Sequence, residues 1–431
     1  MTTGSIIASA FHVPAWFWLL FGTIFLGSVA WNLWLHYIRQ SFISGIKFSL
    51  LEIIPPRDVV RSPQAMELFF TNALYHFSHK GGQEEYWQGA VWFWHSLEIA
   101  SIEGQVHFYI RTPSRLKSLV ETQMYGQYPQ AQVREVEDYT LAVDRITKRG
   151  AWSLWGCEWK LLKPDAFPIR TYEDYGLDKD PKEEYKVDPI SPVIELFGSI
   201  GKGEQMWLQI IVRPSKKKYH TQGTIASHHD WVKEAEVELH RLLAPYTRLH
   251  LGEGIGGTDA LELRAPGYLE DTVDAISKKI KKLGFDVGIR SCYVAKKENF
   301  NKNTRRNLRL IFRQYENPDF NGFDRINSTQ GDAYGGFMTI SDDIVTALCD
   351  RMLEEYRERS FFYPPLRHKL FANIPWPFSP YIFPAYKHHK LFVLNVEELA
   401  TIFHFPGQIL KVPTLERIES KEASPPTNLP T

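Results

Sequence analysis

The chain has 431 residues, of which 50 are basic and 50 acidic, so its formal net charge is zero and indicates no class of partner. Its three cysteines, Cys157, Cys292 and Cys349, are widely spaced and form no CxxC pair, which excludes a disulfide framework and a zinc-finger pattern. Reduced cytosolic thiols are the simplest explanation. The length beyond residue 48 predicts two or three domains.

An apolar segment at 14–38 contains no Lys, Arg, Asp or Glu. About 20 such residues in a helix cross a hydrocarbon core of ~30 Å, so the segment predicts a transmembrane helix. A cleaved signal peptide and a buried soluble helix are the alternatives; the run is long for the first, and nothing basic precedes it. Aromatic residues near both ends are typical of membrane interfaces, and the predicted anchors are Trp16, Trp18, Trp31, Trp34 and Tyr37.

The flanking charges predict the orientation of this helix. Arg39 and Lys47 follow the apolar segment, whereas residues 1–13 contain no Lys or Arg. The positive-inside rule then places residues 1–13 outside the cytoplasm and the bulk of the chain inside it. We therefore expect a single-pass protein of the inner cell membrane.

Residues 45–145 are predicted to fold in the order β-α-β-β-α-β. Alternating or continuous apolar runs indicate strands at 48–54, 95–101, 105–111 and 131–141. Helical spacing indicates a helix at 63–78 and a second helix after Ser114. This order is that of a ferredoxin-like module, in which two helices cover one face of an antiparallel sheet. The other face is expected to be free for a partner.

A second, longer copy is predicted at 150–410. SPQAMELF at 62–69 is echoed by SPVIELF at 191–197, and GQVHFYIRTPS at 104–114 by GEQMWLQIIVRPS at 203–215. Helical patterns at 228–244 and 267–283 interrupt this copy. The predicted fold class is therefore α+β: one transmembrane helix, then two ferredoxin-like modules, the second with a helical insertion. Residues 411–431, rich in Pro, Ser and charge, are predicted to be a disordered linker.

Motifs of catalysis and cofactor binding are missing from the sequence. The glycine-rich segments that begin at Gly198 and Gly252 lack the Lys-Ser/Thr pair that a P-loop needs for phosphates and magnesium. His228, His229 and Asp230 are better explained by helix capping and solvation than by a metal site. We expect no enzymatic activity, no cofactor and no metal, although an active site built from scattered residues leaves no sequence motif.

A basic segment at 278–313 is interleaved with aromatic residues. It predicts contacts with phosphates of nucleic acid or anionic lipid, and the alternative is a solvated helix face with lysines that protect a sheet edge. The candidate nucleic-acid contacts are Lys279, Lys282, Lys296, Lys297, Arg305, Arg306 and Arg309.

Three segments together resemble the region N-terminal to the motor in membrane-anchored conjugation-type (type IV secretion, HerA/FtsK-like) ATPases of small-genome uncultivated bacteria. They are PRDVVRSPQAMELFFTNAL (56–74), KVDPISPVIELFGSIGKGEQMWLQIIVRP (186–214) and FVLNVEELATIFHFPG (392–407). The resemblance covers most of residues 45–430. In such proteins the last segment leads into a RecA-like motor. Because no motor follows here, the resemblance implies a separately encoded motor or a split or truncated form.

The resemblance implies a membrane-anchored, non-catalytic component that docks an ATPase of DNA or protein transfer onto the membrane. The predicted motor-docking residues are Glu397, Glu398, His404 and Phe405. Expected partners are the bilayer, a separately encoded P-loop motor ATPase and further copies of the chain. The alternative function is a membrane-tethered nucleic-acid-binding module that uses the segment 278–313.

Overall fold

The structure is a computed structural model of the chain. It describes residues 15–56, 61–76, 82–178, 187–215, 219–220, 228–250, 260–263, 267–329, 342–364 and 391–407. The predicted extracytoplasmic segment 1–13 and the predicted linker 411–431 lie outside the described residues. Two compact units are present: the first comprises the described residues up to Ile46 and within Phe77–Trp92, and the second comprises most of the remainder from Lys47 onward.

The first unit is built on a long N-terminal helix, α1 (Ala15–Ser44). From Trp18 to Ser44 it is long and apolar enough to cross a membrane, and only 6% of its most apolar window is buried. A second, short helix, α3 (Gly82–Trp87), belongs to the same unit. Because α1 has 30 residues, its length is about 45 Å.

The second unit contains one large antiparallel sheet of nine strands. The strands are β1 (Phe48–Ile54), β2 (His95–Ile102), β3 (Gln105–Pro113), β4 (Gln132–Val136), β5 (Trp152–Leu161), β6 (Glu204–Pro214), β11 (Gly284–Lys296), β12 (Phe323–Ile326) and β13 (Phe392–Asn395). They follow the order β12-β5-β11-β6-β2-β3-β1-β4, and β13 pairs with β11 outside that path. Two small hairpins lie outside the sheet, β7 (Tyr219–His220) with β8 (His228–His229) and β9 (Thr247–His250) with β10 (Ala260–Leu263).

Helices connect these strands. They are α2 (Gln64–Phe69), which continues as a π-helical turn Phe70–Leu74, α4 (Lys117–Gln127), α5 (Ser191–Gly198), α6 (Trp231–Leu243), α7 (Gly267–Lys281), α8 (Lys302–Leu308), α9 (Asp342–Glu358) and α10 (Val396–Ile402). The helices α6 and α7, with the hairpin β9–β10 between them, lie between β6 and β11 in the chain, where helical patterns are predicted at 228–244 and 267–283.

Both faces of the sheet are covered. On one face, strand residues such as Ile53 and Ile210 pack into one core with residues of α2, α4, α5 and α10. On the other face, Tyr109 and Trp207 pack with Met352 and Tyr356 of α9. The prediction that one sheet face is free for a partner is therefore wrong for the described part of the chain, because α9 occupies it.

The fourth predicted strand is shorter than expected. The pattern at 131–141 predicts one long strand, but β4 ends at Val136. Asp138 accepts a hydrogen bond from the backbone N–H of Thr140 and begins a 3-10 turn, Tyr139–Ala142, that carries Tyr139 into the core under α9. A local aspartate cap thus competes successfully with strand propensity.

Candidate functional site

A row of polar side chains crosses the sheet on the face covered by α9. Each member stands directly opposite the next in the strand register, over seven adjacent strands. The row consists of Arg134, Glu52, Tyr109, Glu98, Gln209, Arg290 and Glu158. Because neighbouring residues of a sheet contact one another on the same face, their opposite charges pair. Arg134 Nε lies 2.7 Å from Glu52, and Arg290 Nε lies 2.9 Å from Glu158.

The centre of this row holds a fully buried ion pair. Arg359, just after α9, donates from Nε to Glu98 at 2.9 Å and from Nη2 at 3.1 Å, and it also contacts Asp138. Ser96 and Tyr139 donate to the same carboxylate at 2.6 and 2.9 Å. Burial raises the pKa of Glu98, but Arg359 and the hydrogen bond from Ser96 outweigh it, so the net pKa lies below the ordinary value.

A second fully buried pair continues the network towards β5. Arg290 donates to Glu355 of α9 at 3.4 Å and to the backbone oxygen of Ser360 at 2.7 Å, in addition to Glu158. Gln209 donates to the backbone oxygen of Tyr356 at 3.0 Å. These contacts fix α9 and the segment after it onto the sheet.

Three carboxylates from distant parts of the chain converge near α7. Ligand atoms of Glu67, Glu173 and Glu397 all lie within 4.8 Å of one another. Lys282 Nζ lies 2.8 Å from Glu397, 3.2 Å from Glu67 and 3.4 Å from Glu173, and Lys278 contacts Glu173. Burial raises the pKa of Glu67 despite Tyr172 and Lys282. The ammonium group of Lys282 therefore lies between the three carboxylates and balances part of their charge.

The four predicted motor-docking residues are buried within the second unit. Glu398 receives hydrogen bonds from the backbone of Asn395 and Ile169 and lies 3.0 Å from Lys279. His404 lies 2.9 Å from Asp188. The remaining two, Glu397 and Phe405, are 3% and 2% exposed. Their docking role stays a prediction; what the geometry gives them is the role of holding α10 in the core.

The basic segment 278–313 does not form one patch. Lys279 is 1% exposed and Lys282 lies in the carboxylate cluster, at the start of β11. Lys296 and Lys297 are exposed at the opposite end of the same strand, about 40 Å away at 3.3 Å per residue. The candidate nucleic-acid contacts are thus close in sequence but far apart in the structure, because a long strand separates them.

A cavity of about 200 Å³ lies beside the segment that follows α8, and Arg309 is the one candidate contact that lines it. The guanidinium carbon of Arg309 also lies 5.3 Å from the ring centre of Trp155. Arg306 is exposed and Arg305 is half-buried. The cavity is lined by Trp159, Arg309, Leu310, Phe312, Arg313, Glu316, Phe323, Asp324 and Arg325.

The predicted membrane anchors all lie on α1 with large exposed fractions. Trp16 and Trp18 are 65% and 60% exposed, and Trp31, Trp34 and Tyr37 are 44%, 42% and 68% exposed. In a water-soluble unit such a concentration of exposed aromatic surface is unfavourable. It is favourable at the two interfaces of a bilayer.

Together these features define an α+β protein: a nine-stranded antiparallel sheet with helices on both faces, preceded in the chain by a helix that can span a membrane. A family model described as a domain of unknown function (DUF8128) matches residues 49–414, so the chain belongs to this family. The match begins within β1, after α1. No curated protein matches the sequence.

Proposed function

We propose that this protein is a membrane-anchored, non-catalytic assembly domain. The observation that carries the proposal is the separation of two kinds of side chain. Most of the large apolar side chains that are exposed among the described residues lie on α1. By contrast, the buried charges described above pair with one another inside the second unit, as a rigid scaffold requires.

The strand order supports two ferredoxin-like halves that pair edge to edge through β2 and β6. In the order β4-β1-β3-β2, all neighbours are antiparallel, and β12-β5-β11-β6 repeats that order for the second half. Under this correspondence, Glu52 of β1 is equivalent to Glu158 of β5, and Glu98 and Gln209 meet at the junction. The helices α6 and α7 are then the insertion of the second half.

The proposed partner is a P-loop ATPase of DNA or protein transfer, and its support is the resemblance in the three segments given above. A motor that pushes a polymer needs a fixed frame, which a bilayer tether supplies. In this proposal α10 is the base of the motor-facing end: its capping box joins Asn395 to Glu398, and Phe405 packs edge to face on Phe108 and Tyr128. The bulk of the chain would lie in the cytoplasm, following Arg39 and Lys47.

Cross-linking in intact cells tests this function. The full chain carries an affinity tag, is extracted into nanodiscs after cross-linking, and its partners are identified by mass spectrometry. The control is a tagged single-span protein of the same abundance. Enrichment of a P-loop ATPase over that control is expected, whereas its absence from every cross-linked product would contradict the proposed role.

Nucleic-acid binding is the second candidate function. The observation that favours it is the cavity lined by Arg309, Arg313 and Arg325. Phosphates bind guanidinium groups through paired hydrogen bonds. Its test is titration of the nanodisc-held chain with single-stranded DNA over a range of salt concentrations.

The salt dependence distinguishes this candidate from unspecific attraction. Replacing Arg309 and Arg313, which line the cavity, by Ala should lower the salt slope by about 1 for each phosphate that the variant no longer binds. Replacing the exposed Lys296 and Lys297, at the far end of β11, is the matched control. Equal decreases in both double variants would exclude the cavity as the binding site.

A further inference from the structure

The short helix α3 packs on the C-terminal part of α1, within the first unit. The ring centres of Trp31 and Tyr86 are 6.2 Å apart with the planes 28° from parallel. Arg39 Nη2 lies 3.3 Å from Glu85 Oε1, which neutralises one of the two acidic residues in the first turn of α3. One stacked pair and one ion pair thus connect two segments that are far apart in sequence.

A glycine permits the close approach of these segments. Gly89 has φ +69°, and a Cβ there would lie 2.4 Å from the backbone carbonyl of Ile38. The backbone N–H groups of Gln88 and Ala90 both donate to the carbonyl of Glu84, at 3.1 and 3.0 Å, and close the end of α3. Only glycine fits this position, because a side chain would meet backbone atoms that cannot move aside.

The turn leaves two aromatic side chains exposed beside the aromatic end of α1. Trp87 is 65% exposed and Tyr86 is 37% exposed. Trp34 and Tyr37, about one and two helical turns after Trp31 in α1, are exposed as well. Such side chains combine an apolar body with a polar tip, and they are favoured where lipid headgroups meet acyl chains.

We propose that α3 lies in the headgroup region of the same leaflet as the C-terminal end of α1. The membrane attachment then consists of a spanning helix and an interfacial turn, and the partner of Tyr86 and Trp87 is the lipid surface. This inference rests on the proposed membrane anchor. Its physical consequence is a restriction of rotation: a single helix is free to turn about its axis, whereas a second contact with the interface fixes one face of it.

Fluorescence quenching of the full chain in nanodiscs tests this proposal. The native cysteines Cys157, Cys292 and Cys349 are all buried, so an introduced cysteine can be labelled selectively with an environment-sensitive dye. One variant carries Trp87→Cys and another carries Leu26→Cys, in the middle of α1. Lipids with a nitroxide at a shallow or at a deep position serve as quenchers.

The two labelled positions test the interfacial position of α3 and the membrane insertion of α1 separately. Strong quenching at position 87 by the shallow nitroxide, with little by the deep one, is expected together with deep quenching at position 26. Loss of quenching at 87 with retained deep quenching at 26 would overturn the interfacial turn and leave the anchor intact. Loss of quenching at both positions would overturn the anchor itself.

Gly89→Ala provides an independent check on the same labels. The added Cβ should displace α3 from α1 and abolish the shallow quenching at position 87, while position 26 stays quenched. Gly22→Ala is the matched control, because a Cβ at Gly22 meets nothing within 4 Å. If Gly89→Ala leaves the quenching at position 87 unchanged, the packing of α3 on α1 is not what holds α3 at the membrane interface.

Discussion

Among single residues, the buried ion pair of Arg359 with Glu98 constrains how the chain after α9 packs on the sheet. Arg359 adopts φ 50°, which is unusual for a residue with a side chain, and its guanidinium is fully buried against Glu98. Isolated charges at such depth would cost several kcal/mol, so this segment has one acceptable position on the sheet. We interpret the ion pair between Arg359 and Glu98 as the contact that determines where the chain after α9 packs on the sheet.

Replacing Arg359 should therefore be strongly destabilising. Arg359→Met leaves Glu98 buried with an uncompensated charge, and we expect a loss of about 3–5 kcal/mol in the free energy of unfolding. Chemical denaturation of the chain in nanodiscs measures it. Arg145→Met is the control, since Arg145 forms an ion pair with Asp350 but is 68% exposed, and it should change stability little. Equal losses of unfolding free energy in both variants would show that the buried ion pair contributes no more to stability than the exposed one.

His95, at the start of β2, predicts a dependence of stability on pH. Burial, helped by His76, lowers the pKa of His95 to about 3 from an ordinary value of 6.5. Between these values the unfolded chain binds a proton that the folded chain excludes, so stability falls as pH falls from 6.5. The expected slope is roughly 1.4 kcal/mol per pH unit for this group.

The variant His95→Leu isolates that contribution. The difference in unfolding free energy between wild type and variant should change steadily from pH 6.5 to 4.5 in favour of the variant. His240→Leu, on the exposed side of α6, is the control for the removal of a histidine side chain. A constant difference between wild type and His95→Leu over this range would mean that His95 is protonated in the folded state.

At the scale of elements, two glycines show how differently a strand and a helix respond to one added carbon. A Cβ at Gly288 of β11 would lie 2.3 Å from the ring of Phe361, in the segment that follows α9. A Cβ at Gly126 of α4 meets nothing within 4 Å. The first glycine serves packing between elements, and the second only lowers helix propensity.

The two alanine variants should therefore change stability in opposite directions. Gly288→Ala is expected to destabilise by about 1–3 kcal/mol because Phe361 must move out of a packed core. Gly126→Ala is expected to stabilise by about 0.5–1 kcal/mol through helix propensity. Thermal unfolding of both variants checks the signs. Stabilisation by Gly288→Ala would mean that the segment after α9 does not pack on β11.

Much of the local structure follows from the sequence alone. The spacing of Met66, Phe69, Ala73 and other apolar residues predicts the α2 helix, and the runs at 48–54 and 105–111 predict β1 and β3. In each case the signal is local, because amphipathic periodicity and short turns involve neighbouring residues. The apolar segment at 14–38 predicts α1 for the same reason.

The contacts between distant elements were not predictable in this way. Glu98 and Arg359 are 261 residues apart, and nothing in the local sequence indicates the pairing. The available signal is weak: single charged residues within apolar strands, such as Glu52, Glu158 and Arg290, require buried partners. The sequence similarity between 104–114 and 203–215 makes β6 the equivalent of β3. The order of strands in the sheet instead makes β6 the equivalent of β2, with which it also pairs. Edge pairing of strands therefore needs the three-dimensional structure.

At the scale of the whole molecule, the chain combines a continuous sheet with a separate N-terminal unit. Several buried ion pairs of the sheet unit contact α7, α9 or α10 and hold these helices in place. The exposed aromatic and aliphatic surface of α1 has no such use in water. We therefore propose that α1, which is long and apolar enough to cross a membrane, inserts in a bilayer and anchors the chain there.

Alkaline extraction of membranes from cells that produce the full chain tests this claim most directly. High pH and salt release proteins held by charge, but they do not release a protein with a helix across the hydrocarbon core. We expect the full chain to stay in the pellet after washing, and Leu26→Arg combined with Phe25→Arg to shift it to the supernatant. Release of the unmodified full chain by the alkaline wash would contradict a membrane-spanning anchor.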